Sequence, residues 1–402
     1  MKNIKEKRPQ DPVSRIEYME ELYDRGLKLI KEADENPLAF LNFQSEIEKL
    51  EQYYGDERWK NDFALDEQGK LPADLKRGVL SEDGLYNLLE ENKEVLKEVK
   101  EKYKDDPEVS AKIRFLGYED FKKDILKNHW KVFGVEIYED GELAYSFGDT
   151  KDNVYPLYSC TKSILSIAVG IALDQNKIDL SKDSLYYIPE KYKANLSKEQ
   201  KEKWEKLSLH RLMTMSVPGF PFRAPDDNYM DFSLANEDFN PDEVSFNYSN
   251  ICSYIVGVAL TEALGEDAWE FIQKNILKPL DITDATCSRC SKGYFYGASG
   301  MEMSVNDLSK VGLLLYNKGV YNGKRIVSEE YLNKATSILQ MNLEGGYGYY
   351  FWKYREGYSM NGKFKQKCYI LPERKLIITY LADIEDGSNV LRDSMEKHVL
   401  GL

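Results

Sequence analysis

The chain has 402 residues, of which 42% are hydrophobic and 12% are aromatic, and a chain of this kind can bury a large core divided between two or three structural units. Its formal net charge of -14 argues against broad binding to nucleic acids or to anionic membranes, because both would be repelled at long range. We therefore expect a globular protein whose partners are neither nucleic acid nor membrane.

The N-terminal stretch, residues 1–26, has no apolar segment behind its lysines and no small-residue cleavage site, so we predict no secretory signal. No later run approaches the 18 uninterrupted apolar residues typical of a membrane helix. We expect a cytoplasmic protein. Its five cysteines are odd in number, and we expect reduced thiols rather than a disulfide framework. They are Cys160, Cys252, Cys287, Cys290 and Cys368.

Residues 12 to about 104 have the pattern of a small helical unit. Apolar residues recur at helical spacing from Ile16 to Ile30 and again from Phe43 to Tyr54. A third helix is predicted from Leu85 to about residue 104, and we interpret the Gly-, Pro- and charge-rich segment 59–83 as a connection. We expect residues 1–117 to form an acidic, all-helical N-terminal domain.

A different pattern begins near residue 129. Apolar and polar residues alternate on both sides of Asp140-Gly141, which predicts a tight β-hairpin. Four strand-like runs follow near the C-terminus, "GYGYYFWKY", "YSMNG", "QKCYILP" and "KLIITYLAD", with a last helix after them. Because the region between is mostly helical, we predict an α+β domain over residues 118–402, with one antiparallel sheet built from early and late segments and flanked by helices.

The segment "YSCTKSILSIAVGIAL", residues 158–173, places a serine and a lysine three positions apart where an apolar helix begins. Residues three apart share a helix face, so Ser159 and Lys162 can come within hydrogen-bond distance. A lysine desolvated by apolar neighbours loses its proton more easily and can then activate a serine hydroxyl. The spacing also occurs by chance, in which case Ser159 is a helix cap and Lys162 a surface residue.

A second polar pair lies about ninety residues further on, before another apolar helix. The segment "FNYSNICSYIVGVAL" contains Tyr248 and Asn250 as a YxN pattern. A phenol can relay a proton between lysine and serine, and an amide can orient a substrate carbonyl. The two pairs together favour acyl transfer over a purely structural interpretation.

With these motifs the chain from about Trp130 onward resembles the superfamily of serine beta-lactamases and penicillin-binding proteins, especially its class C beta-lactamase-like esterases, peptidases and amidases. The resemblance extends over "LSLHRLMTMSVPG", "ILKPLDITDAT", "YGASGMEMSVNDLSKVGLLLYNKG" and "MNGKFKQKCYILP". It implies a beta-lactamase-like fold, an antiparallel sheet flanked by helices with an all-helical subdomain.

The resemblance also implies roles for individual residues. Ser159 would be the acylated nucleophile, Lys162 its general base, and Tyr248 the partner that shares the proton and assists water in deacylation. Asn250 would hold the substrate. Gly362 matches the glycine of the family's third motif, which lies on a strand near the C-terminus. The backbone amide of Lys363 would donate a hydrogen bond to the oxyanion, together with the backbone amide of Ser159.

The third motif departs from the family pattern. Penicillin-recognising members have Lys-Thr-Gly or Lys-Ser-Gly on this strand, whereas this chain has Met360-Asn361-Gly362. The missing cation weakens the case for binding the carboxylate of a beta-lactam. Lysines at positions 363, 365 or 367 could replace it, although alternation along the strand sends some of them to the wrong face.

The N-terminal unit resembles a family of small bacterial helical proteins of unknown function. The resemblance lies in "RIEYMEELYDRG" and in the segment "LEQYYGDERWKNDFALDEQGKLPADLKRGVLSEDGLYNLLEE". It implies no chemistry, so we expect an appendage for packing or for binding a protein partner.

Other candidate sites have weaker support. Cys287 and Cys290 have metal-ligand spacing, but a zinc site needs four ligands, so we expect no metal. The histidines are few and scattered and no GxSxG motif is present, which argues against a Ser-His-Asp triad. They are His129, His210 and His398. We expect Cys160 to be a packing residue that points away from the Ser-Lys face.

The sequence thus predicts a cofactor-independent serine hydrolase that forms an ester on Ser159 and acts on a small ester, amide or peptide. Two alternatives remain open: a catalytically silent protein that binds a ligand or a partner on the same fold, and a true beta-lactamase or D-peptidase. The acyl group, the leaving group, the final acceptor and the oligomeric state are not determined by the sequence.

Overall fold

The computed structural model describes residues 11–385 and 387–402. Residues 1–10, which belong to the N-terminal stretch in which no secretory signal is predicted, lie outside the described residues. The described chain divides into two compact units, residues 11–121 with 394–402 and residues 122–393. No described helix is both long and apolar enough to cross a membrane.

The elements fall into three stretches along the chain. The N-terminal helices are α1 (Pro12–Lys31), α2 (Pro37–Asn42), α3 (Gln44–Tyr54), α4 (Glu57–Glu67), α5 (Glu82–Lys102) and α6 (Pro107–Lys127). The middle stretch contains β1 (Val132–Glu139), β2 (Glu142–Gly148), β3 (Tyr155–Pro156), α7 (Cys160–Asp174), α8 (Glu190–Lys193), α9 (Lys198–Glu205), α10 (Leu209–Met213), α11 (Tyr229–Ala235), α12 (Asn250–Leu264) and α13 (Ala268–Ile272). The last stretch contains β4 (Glu302–Met303), α14 (Val305–Tyr316), β5 (Val320–Tyr321), β6 (Lys324–Arg325), α15 (Glu329–Ala335), β7 (Trp352–Tyr354), β8 (Gly357–Gly362), β9 (Gln366–Leu371), β10 (Leu376–Ala382) and α16 (Val390–His398).

The first unit has its apolar core between α1, α3 and α5. Ile16, Leu50 and Leu85 are fully buried there, one from each of the predicted helices, which are confirmed. A buried ion pair adds to this core: the Arg15 guanidinium donates to both carboxylate oxygens of Asp62, at 2.8 and 2.5 Å. The Tyr53 hydroxyl donates to the same carboxylate at 2.8 Å, so the charge of Asp62 is fully compensated.

The segment 59–83, interpreted from sequence as a connection, in fact contains most of α4, so that interpretation is wrong for its first part. Asp56 caps the helix by accepting a hydrogen bond from the Arg58 amide. Trp59 stacks on Phe63 one turn later, with ring centroids 5.3 Å apart, and its indole donates to the Val79 carbonyl. The apolar face of α4 is narrow and is flanked by charged residues, so the helical spacing of its apolar residues was not recognised in the sequence.

Helix α6 was also missed, because the last helix predicted for this unit ends near residue 104 and α6 begins only at Pro107. Asp106 accepts hydrogen bonds from the amides of Glu108 and Val109, so it caps a new helix whose first residue is Pro107. The domain boundary expected between residues 117 and 118 falls within α6.

The second unit is built on a six-stranded sheet in the order β2-β1-β10-β9-β8-β7, and the pairs are antiparallel. The early strand β1 pairs with the late strand β10, with Ile137 opposite Ile378. Asp140 and Gly141 form the hairpin turn, with φ of 50° and 86°, as predicted. The α+β fold class is therefore confirmed, although of the run "GYGYYFWKY" only Trp352–Tyr354 is a strand.

Two helices of the second unit are buried on all sides, which is what their sequences require, because each is apolar around its whole circumference. In α7 every residue from Cys160 to Ala172 is buried, and in α12 every residue from Asn250 to Leu260 is buried. The two helices pack against each other. The sequence motifs lie at three places: the pair of Ser159 and Lys162 at the start of α7, the pair of Tyr248 and Asn250 at the start of α12, and Gly362 at the end of β8.

Candidate active site

Ser159 lies in a sharp strand-to-helix turn, directly before the first residue of α7. Tyr158, just ahead of it, has a φ of 47°, a left-handed conformation that costs a non-glycine residue about 1 kcal/mol or more. The turn is held by two backbone hydrogen bonds, from Leu157 to the Met301 carbonyl and from Cys160 to the Leu157 carbonyl. This strained turn places the half-buried Ser159 at the surface of a cleft.

Lys162 is buried on the first turn of α7, with only 1% of its surface exposed. Its Nζ lies 2.9 Å from Ser159 Oγ, 2.8 Å from Asn250 Oδ1 and 2.6 Å from the Ala298 carbonyl oxygen. No carboxylate in the described part of the chain forms an ion pair with it, and burial lowers the pKa of the amine from 10.5 to about 7.

These three contacts fit a neutral amine. A neutral lysine has two N–H donors and one lone pair, whereas an ammonium has three donors. The Ala298 carbonyl and Asn250 Oδ1 can only accept, so they take the two N–H groups. The lone pair is then directed at the Ser159 hydroxyl, which is the arrangement that a general base needs.

Tyr248 lies in an extended segment that is bound to the loop of residues 215–222. The Asn250 amide donates to the Phe222 carbonyl at 2.7 Å, and the Ser249 hydroxyl donates to the Pro221 carbonyl, also at 2.7 Å. The Tyr248 ring centroid lies 5.0 Å from Lys162 Nζ. Burial raises the pKa of the Tyr248 phenol, and a hydrogen bond with Ser159 opposes this only in part, so the phenol keeps its proton at neutral pH.

Asn250 is buried and joins the lysine to residues that the motifs did not indicate. Its Oδ1 accepts from Lys162, while its Nδ2 donates to the Tyr296 hydroxyl at 3.2 Å. Tyr296 in turn stacks on Tyr229, with ring centroids 4.1 Å apart. Tyr296 and Ala298 lie in the segment "YGASGMEMSVNDLSKVGLLLYNKG", but its resemblance to the family implied no role for either residue. Tyr229 lies outside the sequence motifs.

Gly362 ends β8, and a side chain there is excluded by close packing. A Cβ atom at this position would lie 2.3 Å from the Leu157 carbonyl oxygen, which explains the glycine. Lys363 follows it and lies at the cleft together with Ser159. Ser159 and Lys363 therefore line the same cleft.

The lysines near the third motif point in different directions. Met360 is fully buried, so its side chain does not face the cleft. Lys363 lines the cleft and, together with Lys365 and Lys367, a second cavity. Lys365 also donates to the Ser388 carbonyl. Lys363 and Lys365 lie in a short turn between β8 and β9 rather than on a strand, and of these three lysines Lys363 lines the cleft.

The cleft has a volume of about 660 Å³, within the usual size of a small-molecule site. It brings together the sequence-predicted residues Ser159, Tyr248, Asn250, Gly362 and Lys363, with Lys162 behind them. The remaining lining residues are Tyr158, Phe222, Arg223, Tyr229, Tyr296, Ser299, Trp352 and Asn361. The walls are thus strongly aromatic.

The other candidates lie elsewhere. The Cys160 thiol is fully buried, its pKa is raised by burial, and it contacts the Gln366 carbonyl. His210 pairs with the Tyr349 hydroxyl at 2.7 Å, and Cys290 with the Tyr254 hydroxyl at 3.2 Å. Among residues 11–385 and 387–402, no three His, Cys, Asp or Glu side chains converge as metal ligands do.

A buried helix that begins with a serine and a lysine, packed beside an antiparallel sheet, is typical of serine hydrolases with the beta-lactamase fold. Residues 126–397 match the Beta-lactamase family, and the chain belongs to that family. Residues 16–101 match a second family, described as domain of unknown function DUF4298, so the N-terminal unit contains this domain.

Solved structures agree with this fold. A Bacillus anthracis protein provisionally named as a 6-aminohexanoate-dimer hydrolase superposes with a TM-score of 0.57 at 19% identity, over 69% of this chain and 80% of that one. A class C beta lactamase from Rhodobacter sphaeroides gives 0.56 at 15%, over 71% and 98%. An octameric penicillin-binding protein homologue from Pyrococcus abyssi gives 0.54 at 18%, over 71% and 77%. At these identities the likeness concerns the fold alone.

Proposed function

We propose that this protein is a serine hydrolase that forms an acyl-enzyme on Ser159 and acts on a small ester, amide or peptide. The observation that carries this proposal is the state of Lys162. Its amine is buried, its pKa is lowered to about 7, and its Nζ lies 2.9 Å from Ser159 Oγ. A serine with a neutral amine aimed at its hydroxyl is an activated nucleophile.

In the acylation step, Ser159 Oγ bonds to the substrate carbonyl carbon while its proton passes to Lys162. The negative charge that develops on the carbonyl oxygen is stabilised by the amides of Ser159 and Lys363. When the bond to the leaving group breaks, the leaving atom takes a proton from Tyr248, which regains one from Lys162. Water then attacks the Ser159 ester by the same steps in reverse order, with Tyr248 now accepting its proton. The reaction needs no metal or organic cofactor.

Labelling by a fluorophosphonate, followed by intact-protein mass spectrometry, tests this assignment. We expect one adduct on the wild-type chain, none on Ser159→Ala and an unchanged adduct on Cys160→Ala, the neighbouring control. Lys162→Ala should slow hydrolysis of a p-nitrophenyl ester on the order of a hundredfold or more, the usual loss for a positioned general base.

The alternative of a catalytically silent binding protein makes the opposite prediction. Such a protein would bind a ligand in the cleft without a covalent adduct, and Ser159→Ala would not change the mass spectrum. An adduct that persists in Ser159→Ala but disappears in Cys160→Ala would contradict the nucleophile assignment.

A further inference from the structure

The charge of the cleft differs in sign from that of the whole chain. Its thirteen lining residues include two cations, Arg223 and Lys363, and no carboxylate, although the chain has a net charge of -14. Burial also lowers the pKa of Lys162 behind the cleft, so that amine does not add a full charge. A cleft lined by one sign of charge favours ligands of the opposite sign.

Arg223 is an exposed residue in the loop between α10 and α11. It makes no hydrogen bond or ion pair with any residue that the structure describes. Of the two acids that follow it, the Asp226 carboxylate accepts from the Asn228 amide, and the backbone carbonyl of Asp227 accepts from Ser291; neither forms an ion pair with Arg223. The guanidinium at the cleft is therefore available to a ligand.

The backbone around Arg223 is held relative to the nucleophile. The carbonyl of Phe222, the preceding residue, accepts from the Asn250 amide at 2.7 Å. The Phe222 ring lies parallel to the Tyr248 ring, with centroids 6.3 Å apart. Burial and a hydrogen bond to Tyr229 raise the pKa of the Tyr296 phenol, and the nearby Arg223 charge opposes this. Arg223 therefore lies near Tyr296 at the cleft.

A substrate for acyl transfer would place three parts in this cleft, the carbonyl oxygen, the leaving group and the acyl group. Gly362 and Lys363 lie where the carbonyl oxygen would be bound, and Tyr248 would face the leaving group to which it gives a proton. The remaining wall, with Tyr296 and Arg223, is left for the acyl group. The stacked aromatic rings there suit an apolar chain, and the guanidinium suits a carboxylate at its end.

We propose that Arg223 is a specificity-determining residue that binds a carboxylate on the acyl group, so that the preferred substrates are esters or amides of short dicarboxylic acids. This inference rests on the proposed function, because it assumes acyl transfer to Ser159. A charge-assisted hydrogen bond of this kind changes binding by roughly ten- to a hundredfold.

The test compares two p-nitrophenyl esters, the glutaric acid half-ester and the pentanoic acid ester, which share an acyl chain but differ in the terminal carboxylate. We expect the ratio of their kcat/KM values, anionic over neutral, to fall at least tenfold in Arg223→Gln and to recover in part in Arg223→Lys. The control Lys324→Gln removes an exposed cation distant in sequence and should leave the ratio unchanged. An unchanged ratio in Arg223→Gln would overturn the proposal.

A second ester pair locates the carboxylate. In 4-acetoxybenzoate the charge lies on the leaving group, so Arg223→Gln should not change its turnover relative to phenyl acetate. A larger effect on this pair than on the glutarate pair would also overturn the assignment to the acyl side.

A turnover-independent measurement separates failure of this inference from failure of the proposed function. Boronic acids form a reversible bond to a serine oxygen, so 3-carboxyphenylboronic acid and phenylboronic acid should both protect Ser159 from a fluorophosphonate. We expect the carboxylated compound to protect at a concentration at least tenfold lower, and this advantage to be lost in Arg223→Gln. Equal protection overturns only the role of Arg223, whereas absence of Ser159 labelling overturns both proposals.

Discussion

Replacing Lys162 by methionine separates what this residue does in catalysis from its effect on stability. Burial lowers the pKa of the amine from 10.5 to about 7 in the folded protein, whereas the unfolded chain keeps the ordinary value. Between these two pH values the unfolded state binds more protons, so the free energy of unfolding of the wild type rises with pH. Methionine has a similar length and no charge, so its own contribution does not change with pH.

The size of the effect follows from the shift. A drop from 10.5 to about 7 is worth about 5 kcal/mol at 1.36 kcal/mol per pKa unit. Below pH 7 the wild type loses this whole amount from its free energy of unfolding. The loss is about 2 kcal/mol smaller at pH 9 than at pH 7, and it almost disappears above pH 10.5. In the variant, Asn250 Oδ1 and the Ala298 carbonyl lose a donor at every pH, at roughly 1 to 3 kcal/mol each. The prediction therefore concerns the pH dependence and not the absolute difference.

We expect the stability of Lys162→Met relative to the wild type to fall by about 2 kcal/mol between pH 7 and pH 9. Urea unfolding followed by tryptophan fluorescence measures it, because four of the five tryptophans lie in residues 122–393. Lys324→Met, which replaces an exposed lysine, should show no such trend. In the same buffers, wild-type kcat/KM for a neutral ester should rise with pH and level off above about pH 7, as Lys162 loses its proton.

A difference between Lys162→Met and the wild type that stays constant from pH 6 to pH 9 would refute this reasoning. It would mean that Lys162 keeps an ordinary pKa in the folded protein. The lone pair assigned to the Ser159 hydroxyl would then be absent at neutral pH, and the base would have to be another group.

Two further predictions concern packing. Gly362→Ala should abolish fluorophosphonate labelling or lower the melting temperature, because the added Cβ would lie 2.3 Å from a carbonyl oxygen. The control Gly257→Ala should be tolerated, because its Cβ would lie 3.5 Å from the nearest atom. Equal tolerance of both substitutions would contradict the close approach at Gly362. Asp62→Ala should destabilise the first unit by about 3 to 5 kcal/mol, because it leaves the buried Arg15 guanidinium without its partner. The control Asp66→Ala removes a partly exposed ion pair and should cost less than about 1 kcal/mol. Hydrogen exchange of the amides in α1 and α4 measures the loss of stability in each variant. Similar exchange rates in the two variants would contradict the burial of the pair of Arg15 and Asp62.

The sequence alone was enough for the local features. Lys162 could be assigned beside Ser159 because residues three apart on a helix share a face, and α7 had to be buried because it is apolar around its whole circumference. The hairpin at Asp140-Gly141 was also local, since two residues with positive φ define the turn. Helix α4 was missed because its short apolar face is interrupted by charges, and contacts with distant residues, such as that from Trp59 to Val79, help to stabilise it.

Tertiary structure decided everything that depends on distant segments. The segment of Tyr296 and Ala298 and the loop of Arg223 come from two distant parts of the chain, and the local sequence does not indicate that they lie beside Lys162 and the cleft. The inward direction of Met360 depends on its pairing with Cys368 on the next strand. The lowered pKa of Lys162 is likewise not a property of its own helix, because its desolvation requires neighbouring segments to exclude water from its amine.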